Sequence, residues 1–168
     1  FVAGAAYERN DLFYDGDDRP IVVDPTQGDI MDAASWSLFS RLGYDISSEQ
    51  RLEVMANFYE MGGDGDYRAV PGNAAQRIPA TSAPGDQPGD PTRNEARNLA
   101  ITYRNRDLLG GTLSLQGFYY DFYALYGGDT FPVFQDPAIA PIGTLFDQSA
   151  LSSKKYGAKL TFSRENAI

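Results

Sequence analysis

Apolar residues recur at every second position in one window after another of this chain, a period that fits β-strands and excludes amphipathic helices as the main element. The clearest window is 35–46. Trp36, Leu38, Leu42, Tyr44 and Ile46 fall on even positions with Ser40, against Ser35, Ser37, Phe39, Arg41, Gly43 and Asp45 on odd ones. In the next, Leu52, Val54, Ala56 and Phe58 alternate with Glu53, Met55, Asn57 and Tyr59. Leu99, Ile101 and Tyr103 carry the pattern over 98–104, Leu113, Leu115, Gly117 and Tyr119 over 112–119, and Tyr156, Ala158, Leu160 and Phe162 over 155–163. A weaker opening run sets Phe1, Ala3, Ala5 and Tyr7 against Val2, Gly4, Ala6 and Glu8. The expectation is an all-β, antiparallel chain of about six strands.

The connections alternate in length. Tight turns are predicted at 47–50 and 105–111, and long Asp-, Gly- and Pro-rich stretches at about 14–34, 62–93 and 125–152. Loops beyond about 12–15 residues are uncommon in compact domains. In an antiparallel meander all three emerge at one end of the sheet, the asymmetry of outer-membrane barrels with short periplasmic turns and long extracellular loops.

The aromatic residues follow the same geometry. With the tight turns taken as periplasmic, Trp36, Phe58, Tyr119 and Tyr156 lie toward the outer end of the apolar face, and Tyr44, Tyr103 and Phe162 toward the inner end. Leu38, Leu42, Val54, Ala56, Ile101, Leu115, Ala158 and Leu160 lie between. Two aromatic girdles around an aliphatic band are what a lipid-facing surface requires. The eight residues from Trp36 to Tyr44 rise about 20 Å along the membrane normal at a tilt of ~40°. A soluble sandwich or barrel shows the same alternation. Burying Arg41, Asp45, Glu53, Asn57, Arg104, Gln116, Lys155 and Lys159 in one, however, would cost more than a typical stability of about 5–15 kcal/mol.

Composition narrows the function. A formal charge of −9 argues against a nucleic-acid surface. Cysteine and histidine are both absent, which removes thiol chemistry and the usual general base. The rim nucleophiles of outer-membrane hydrolases need a Ser–His or Asp–His pair, so no enzyme is expected. Glu53 and Asp121, taken as lying on neighbouring strands, are a carboxylate pair capable in principle of acid–base work, although lumen carboxylates are ordinary in a wet channel. No stretch reaches the ~20 apolar residues of a spanning helix. The opening Phe1-Val2-Ala3-Gly4 reads as strand rather than signal peptide, as in an internal piece or a mature chain.

Several segments resemble TonB-dependent siderophore receptors, and within them the hydroxamate–citrate (ferric aerobactin or schizokinen) group. They are Asp90-Pro91-Thr92-Arg93-Asn94-Glu95, the 105–111 turn, Gly117 through Gly128, and Thr130-Phe131-Pro132-Val133-Phe134-Gln135-Asp136-Pro137. The resemblance spans essentially the whole chain as a middle part of such a barrel. It implies a 22-stranded transmembrane barrel with a plug domain and TonB box, neither of which occurs in these residues. It also implies a TonB-type energy-transducing partner, outer-membrane location, a ferric siderophore as cargo and no cofactor. Such a cargo is bulky and anionic. Arg offers fixed charge and forked donors, and Tyr and Phe offer rigid contact area. The expected vestibule residues are Tyr67, Arg68, Arg77, Tyr126, Phe131 and Phe134, with Phe146 nearby. A passive porin is the alternative. Asp15-Gly16-Asp17-Asp18 and Asp64-Gly65-Asp66 have spacing that can ligate Ca²⁺, but neither completes an EF-hand, and the expected reading is solvated loop tips or outer-leaflet sites bridged by divalent ions.

Overall fold

The computed structural model describes residues 1–23, 31–129 and 136–164. Strand β1 (Val2–Asn10) is followed by β2 (Ala33–Asp45) and β3 (Gln50–Gly63). A small hairpin of β4 (Tyr67–Val70) and β5 (Thr81–Pro84) comes next, then β6 (Arg93–Leu108), β7 (Gly111–Asp129) and β8 (Phe146–Ser163). The fold is all-β. The one helical turn among the described residues is a 3-10 turn at Ala74–Gln76, and no described helix is long and apolar enough to cross a membrane.

The six long strands form one antiparallel meander in the order β1-β2-β3-β6-β7-β8, with β4-β5 as a separate two-stranded sheet. Every neighbour in the large sheet is therefore a neighbour in sequence, apart from the hairpin inserted between β3 and β6. β1 and β8 each have a single partner among the described residues, so the sheet is open. The predicted strands are all present. β7 and β8 run well past their expected limits, so the predicted loop at 125–152 contracts to 130–145. The cause is visible in Tyr120-Asp121-Phe122-Tyr123: aromatic rings fall on both faces, which erases the period of two while keeping high strand propensity.

The first turn has the expected length, and the second is tighter than expected. Leu108 pairs with Gly111 across the two-residue loop Leu109-Gly110, both at positive φ (53° and 71°), the conformation of a type I′ hairpin. The irregular pairing between Asn105 and Leu108 absorbs the remaining residues of the predicted turn. At the other turn the Ser47 hydroxyl accepts the backbone N–H groups of Glu49 and Gln50. The Arg106 N–H donates to the Glu49 carbonyl at 2.9 Å, tying the two turns together.

Buried apolar residues do not lie in the middle of the sheet. Leu12, Val23 and Met31 cluster with half-buried Tyr67 among the loops; Ala33, Ala124 and Leu125 sit where β2 and β7 meet those loops. In mid-sheet Leu38 is 48% exposed and Ile101 46%, and on the edge strand β8 Leu160 is 68% exposed. Among the described residues no second layer covers either face of the sheet.

Candidate functional site

Register decides what each face carries, because side chains alternate and paired residues share a side. One row runs Ala3–Ser40–Ala56–Leu99–Tyr119–Tyr156 and the next Leu42–Val54–Ile101–Gly117–Ala158. All seven expected girdle residues fall on this apolar face. Trp36 stacks on Phe58 with ring centroids 4.4 Å apart, Tyr119 pairs directly with Tyr156, and the Tyr103 hydroxyl donates to Gln50 Oε1 at 3.0 Å. The belts slope across the sheet. The Trp36 row passes through Glu60 and Glu95 to Tyr123, so Tyr119 stands four residues nearer the turns than Trp36, three strands away. Near the turns the Tyr44 row reaches Leu160, and Phe162 stands two residues further in the same direction.

Beyond the loop-end girdle the same face turns charged. Arg93 pairs with Glu60 at 3.1 Å and Glu95 at 2.6 Å, Arg97 with Glu95 at 2.7 Å, and Lys154 with Asp121 at 3.9 Å. Arg97 also lies 5.4 Å above the Phe58 ring. The alternation that marks Leu99 and Ile101 continues through Arg93, Glu95 and Arg97, so this row was open to sequence reading; its charges hid it among loop residues.

The opposite face is polar over half its length. Toward the turns it carries Arg41, Asp45, Arg51, Glu53, Thr102, Arg104, Gln116 and Lys159. Arg41 pairs with Glu53 at 2.9 Å and Arg51 with Asp45 at 2.7 Å, beside a hollow of about 240 Å³ that Arg104 and Arg106 also line. Gly43 leaves room for the Arg51 guanidinium, where a Cβ would collide with it. Met55 and Phe118 share the Arg41 row, and beyond it toward the loops the same face bears Phe39, Tyr59, Met61, Tyr120 and Phe122 around Asn57 and Asn98, a ring-rich stretch that an evenly polar wall does not anticipate. Lys155 sits 6.0 Å over the Tyr120 ring. Glu53 and Asp121 are not a pair: β6 separates their strands, and they lie on opposite faces.

The described parts of the first two long connections pack together into a small cap. The Ser82 hydroxyl, buried, accepts the Val23 N–H and donates to the Ile21 carbonyl, both at 2.8 Å, while Thr81 Oγ1 donates to the Pro20 carbonyl at 2.6 Å. These bonds strap the first connection to β5. Of the expected vestibule residues, Tyr67 packs on the Leu12–Val23–Met31 cluster, a structural role. Arg68 is exposed on β4 and runs beside Gly85, Arg77 caps the 3-10 turn at φ 56°, and Tyr126 is half-buried on β7 with Ser149 as partner. Among the described residues no hydrogen bond or ion pair joins Arg68, Arg77 and Tyr126. Phe131 and Phe134 lie outside the described residues; Phe146 opens β8 and is exposed.

The acidic clusters behave differently from each other. Asp15 accepts the N–H groups of Asp17 and Arg19, and Arg19 pairs with both Asp15 and Asp17 at 2.9 Å, which satisfies the turn internally. Those backbone donors hold the Asp15 carboxyl below its usual range. Asp64 and Asp66 are joined by buried Asp32, whose position no sequence pattern signalled; the three carboxylates offer oxygens within 4.8 Å of one another. Arg9 takes Asp64 Oδ2 at 2.6 Å and the Asp66 N–H donates to Asp32 Oδ2 at 3.2 Å. Burial pushes the Asp32 carboxyl up despite that bond. No family model matches the chain, and no solved structure matches it.

Proposed function

We propose that this chain is part of the wall and outer loops of an outer-membrane β-barrel receptor that captures a ferric siderophore and passes it inward with energy from a TonB-type partner. The carrying observation is the exposed apolar face: a single layer with aliphatic residues in its middle and aromatic belts toward both ends needs a hydrocarbon partner. The slope of the loop-end belt is in keeping with the same reading, while the turn-end belt slips by two residues over four strands. In a barrel whose strands tilt ~40°, a level ring must slip by about one residue per strand, given 4.8 Å between strands and 3.3 Å per residue. The four-residue slip of the loop-end belt over three strands is of that size. At 16 to 19 residues β6, β7 and β8 exceed the 9–11 needed to cross, leaving lengths that carry the cap clear of the bilayer.

Cargo identity rests on the family resemblance and on exposed Arg68 and Arg77 in the cap. Binding of a ferric hydroxamate–citrate siderophore to protein purified from outer membranes tests it, with Arg68→Ala, Arg77→Ala and Tyr126→Ala alongside. Loss of about tenfold or more in affinity for at least one variant is expected. Unchanged affinity in all three removes these residues from the site, and steady ion conductance without siderophore binding replaces the receptor with a passive channel.

A further inference from the structure

The charged margin beside the loop-end girdle is arranged with its two signs at different depths. Its acids are withdrawn, with side chains 27% (Glu60), 14% (Glu95) and 18% (Asp121) exposed, while its bases reach out, at 50% (Arg93), 52% (Arg97) and 65% (Lys154). Formal charges cancel, yet what a neighbour meets is cationic, on a chain whose net charge is −9. Glu95 accepts Arg93 on one oxygen and Arg97 on the other, holding two guanidiniums side by side. A guanidinium has five donors and these pairings use few of them, so spare N–H groups remain for a second acceptor. Arg97 is further fixed by the Phe58 ring, itself stacked on Trp36.

Immediately toward the turns lies an open hollow of about 630 Å³. The small-residue row Ala3–Ser40–Ala56 and the row Ala5–Leu38–Phe58 line it, with Gly4, Phe39 and Asn57 of the row between them. Phe58 thus belongs to both features: Arg97 covers its ring, and the ring bounds the hollow. A free anion would have no use for the hollow, and a bare hydrocarbon chain no use for paired guanidiniums. We infer that this margin holds an anionic lipid with an exposed phosphate, the phosphate on Arg93 and Arg97 and one acyl chain in the hollow beside Phe58. The inference rests on the membrane reading above.

The test reconstitutes protein purified from outer membranes into phosphatidylcholine vesicles doped with phosphatidic acid or with diacylglycerol of the same chains, and counts retained lipid by native mass spectrometry. Phosphatidic acid should be retained at least about tenfold over diacylglycerol. The double variant R93Q/R97Q should abolish that preference. A56F, which fills the hollow and leaves the arginines in place, should weaken retention of phosphatidic acid. Equal retention of the two lipids, or an undiminished preference in R93Q/R97Q, overturns the inference, as does displacement of the lipid by millimolar inorganic phosphate. Protease protection of the strands separates the two claims: a protein that inserts but ignores phosphate loses only the lipid site, whereas one that fails to insert loses the membrane reading as well.

Discussion

Leu109 occupies the first position of a type I′ turn at φ 53°, where an L side chain with a Cβ is strained by about 1–2 kcal/mol. Leu109→Asn keeps the turn and should raise stability by about 1 kcal/mol in urea unfolding, since Asn tolerates that conformation. Gly157 makes the opposite case. It pairs with Phe118, whose ring lies 2.7 Å from where a Cβ would stand. Gly157→Val should therefore cost about 1–3 kcal/mol, with the ring displaced from the strand. Asp32 ties residue chemistry to pH. Its folded carboxyl titrates above the ordinary Asp value, so folding favours the protonated form. Stability from this group is present below its unfolded pKa and is lost as pH rises through the folded one. Asp32→Asn should then stabilise the cap at neutral pH, keep the acceptor for the Asp66 N–H, and lose its advantage in acid. A thermal-unfolding series from pH 4 to 8 checks both halves.

At the scale of elements, the cap depends on one hydroxyl that both donates and accepts. Removing Ser82 Oγ strands the buried Val23 N–H, where an unmade bond costs about 1–3 kcal/mol, and frees the part-buried Ile21 carbonyl. Ser82→Ala should speed proteolytic cleavage of the first long connection while the six-stranded sheet stays resistant; equal resistance of both would show that the Leu12–Val23–Met31 cluster holds the cap unaided. The sheet itself needs no such strap. Each strand is paired along most of its length with its neighbours, the β2–β3 and β6–β7 ladders closed by tight turns and the other three pairings made across long connections.

For the whole molecule the question is which face meets water. On the proposed reading Ile101 faces hydrocarbon near the middle of the apolar band, and Asn98 faces the lumen side of the same strand. Ile101→Arg should cost about 2–4 kcal/mol in lipid or detergent, whereas Asn98→Lys should stay within about 0.5 kcal/mol. Comparable small costs for both would remove hydrocarbon from the apolar side.

The alternation of Trp36 to Tyr44, Leu52 to Phe58, Leu99 to Tyr103 and Tyr156 to Phe162 was legible without coordinates, because the pleat imposes a period of two on every strand. From it followed the strand count, the two faces and the placement of the aromatic belts. Pairing across distance was not legible. Asp32 meets Asp64 and Asp66, Ser82 meets Val23, and Arg93 meets Glu60 through contacts made over roughly 30 to 60 residues of chain, which no local period encodes. The extension of β7 through Tyr120 to Tyr126 was hidden for a related reason: its rings are kept by partners on both sides of the sheet, and only the tertiary register shows which partner each one has.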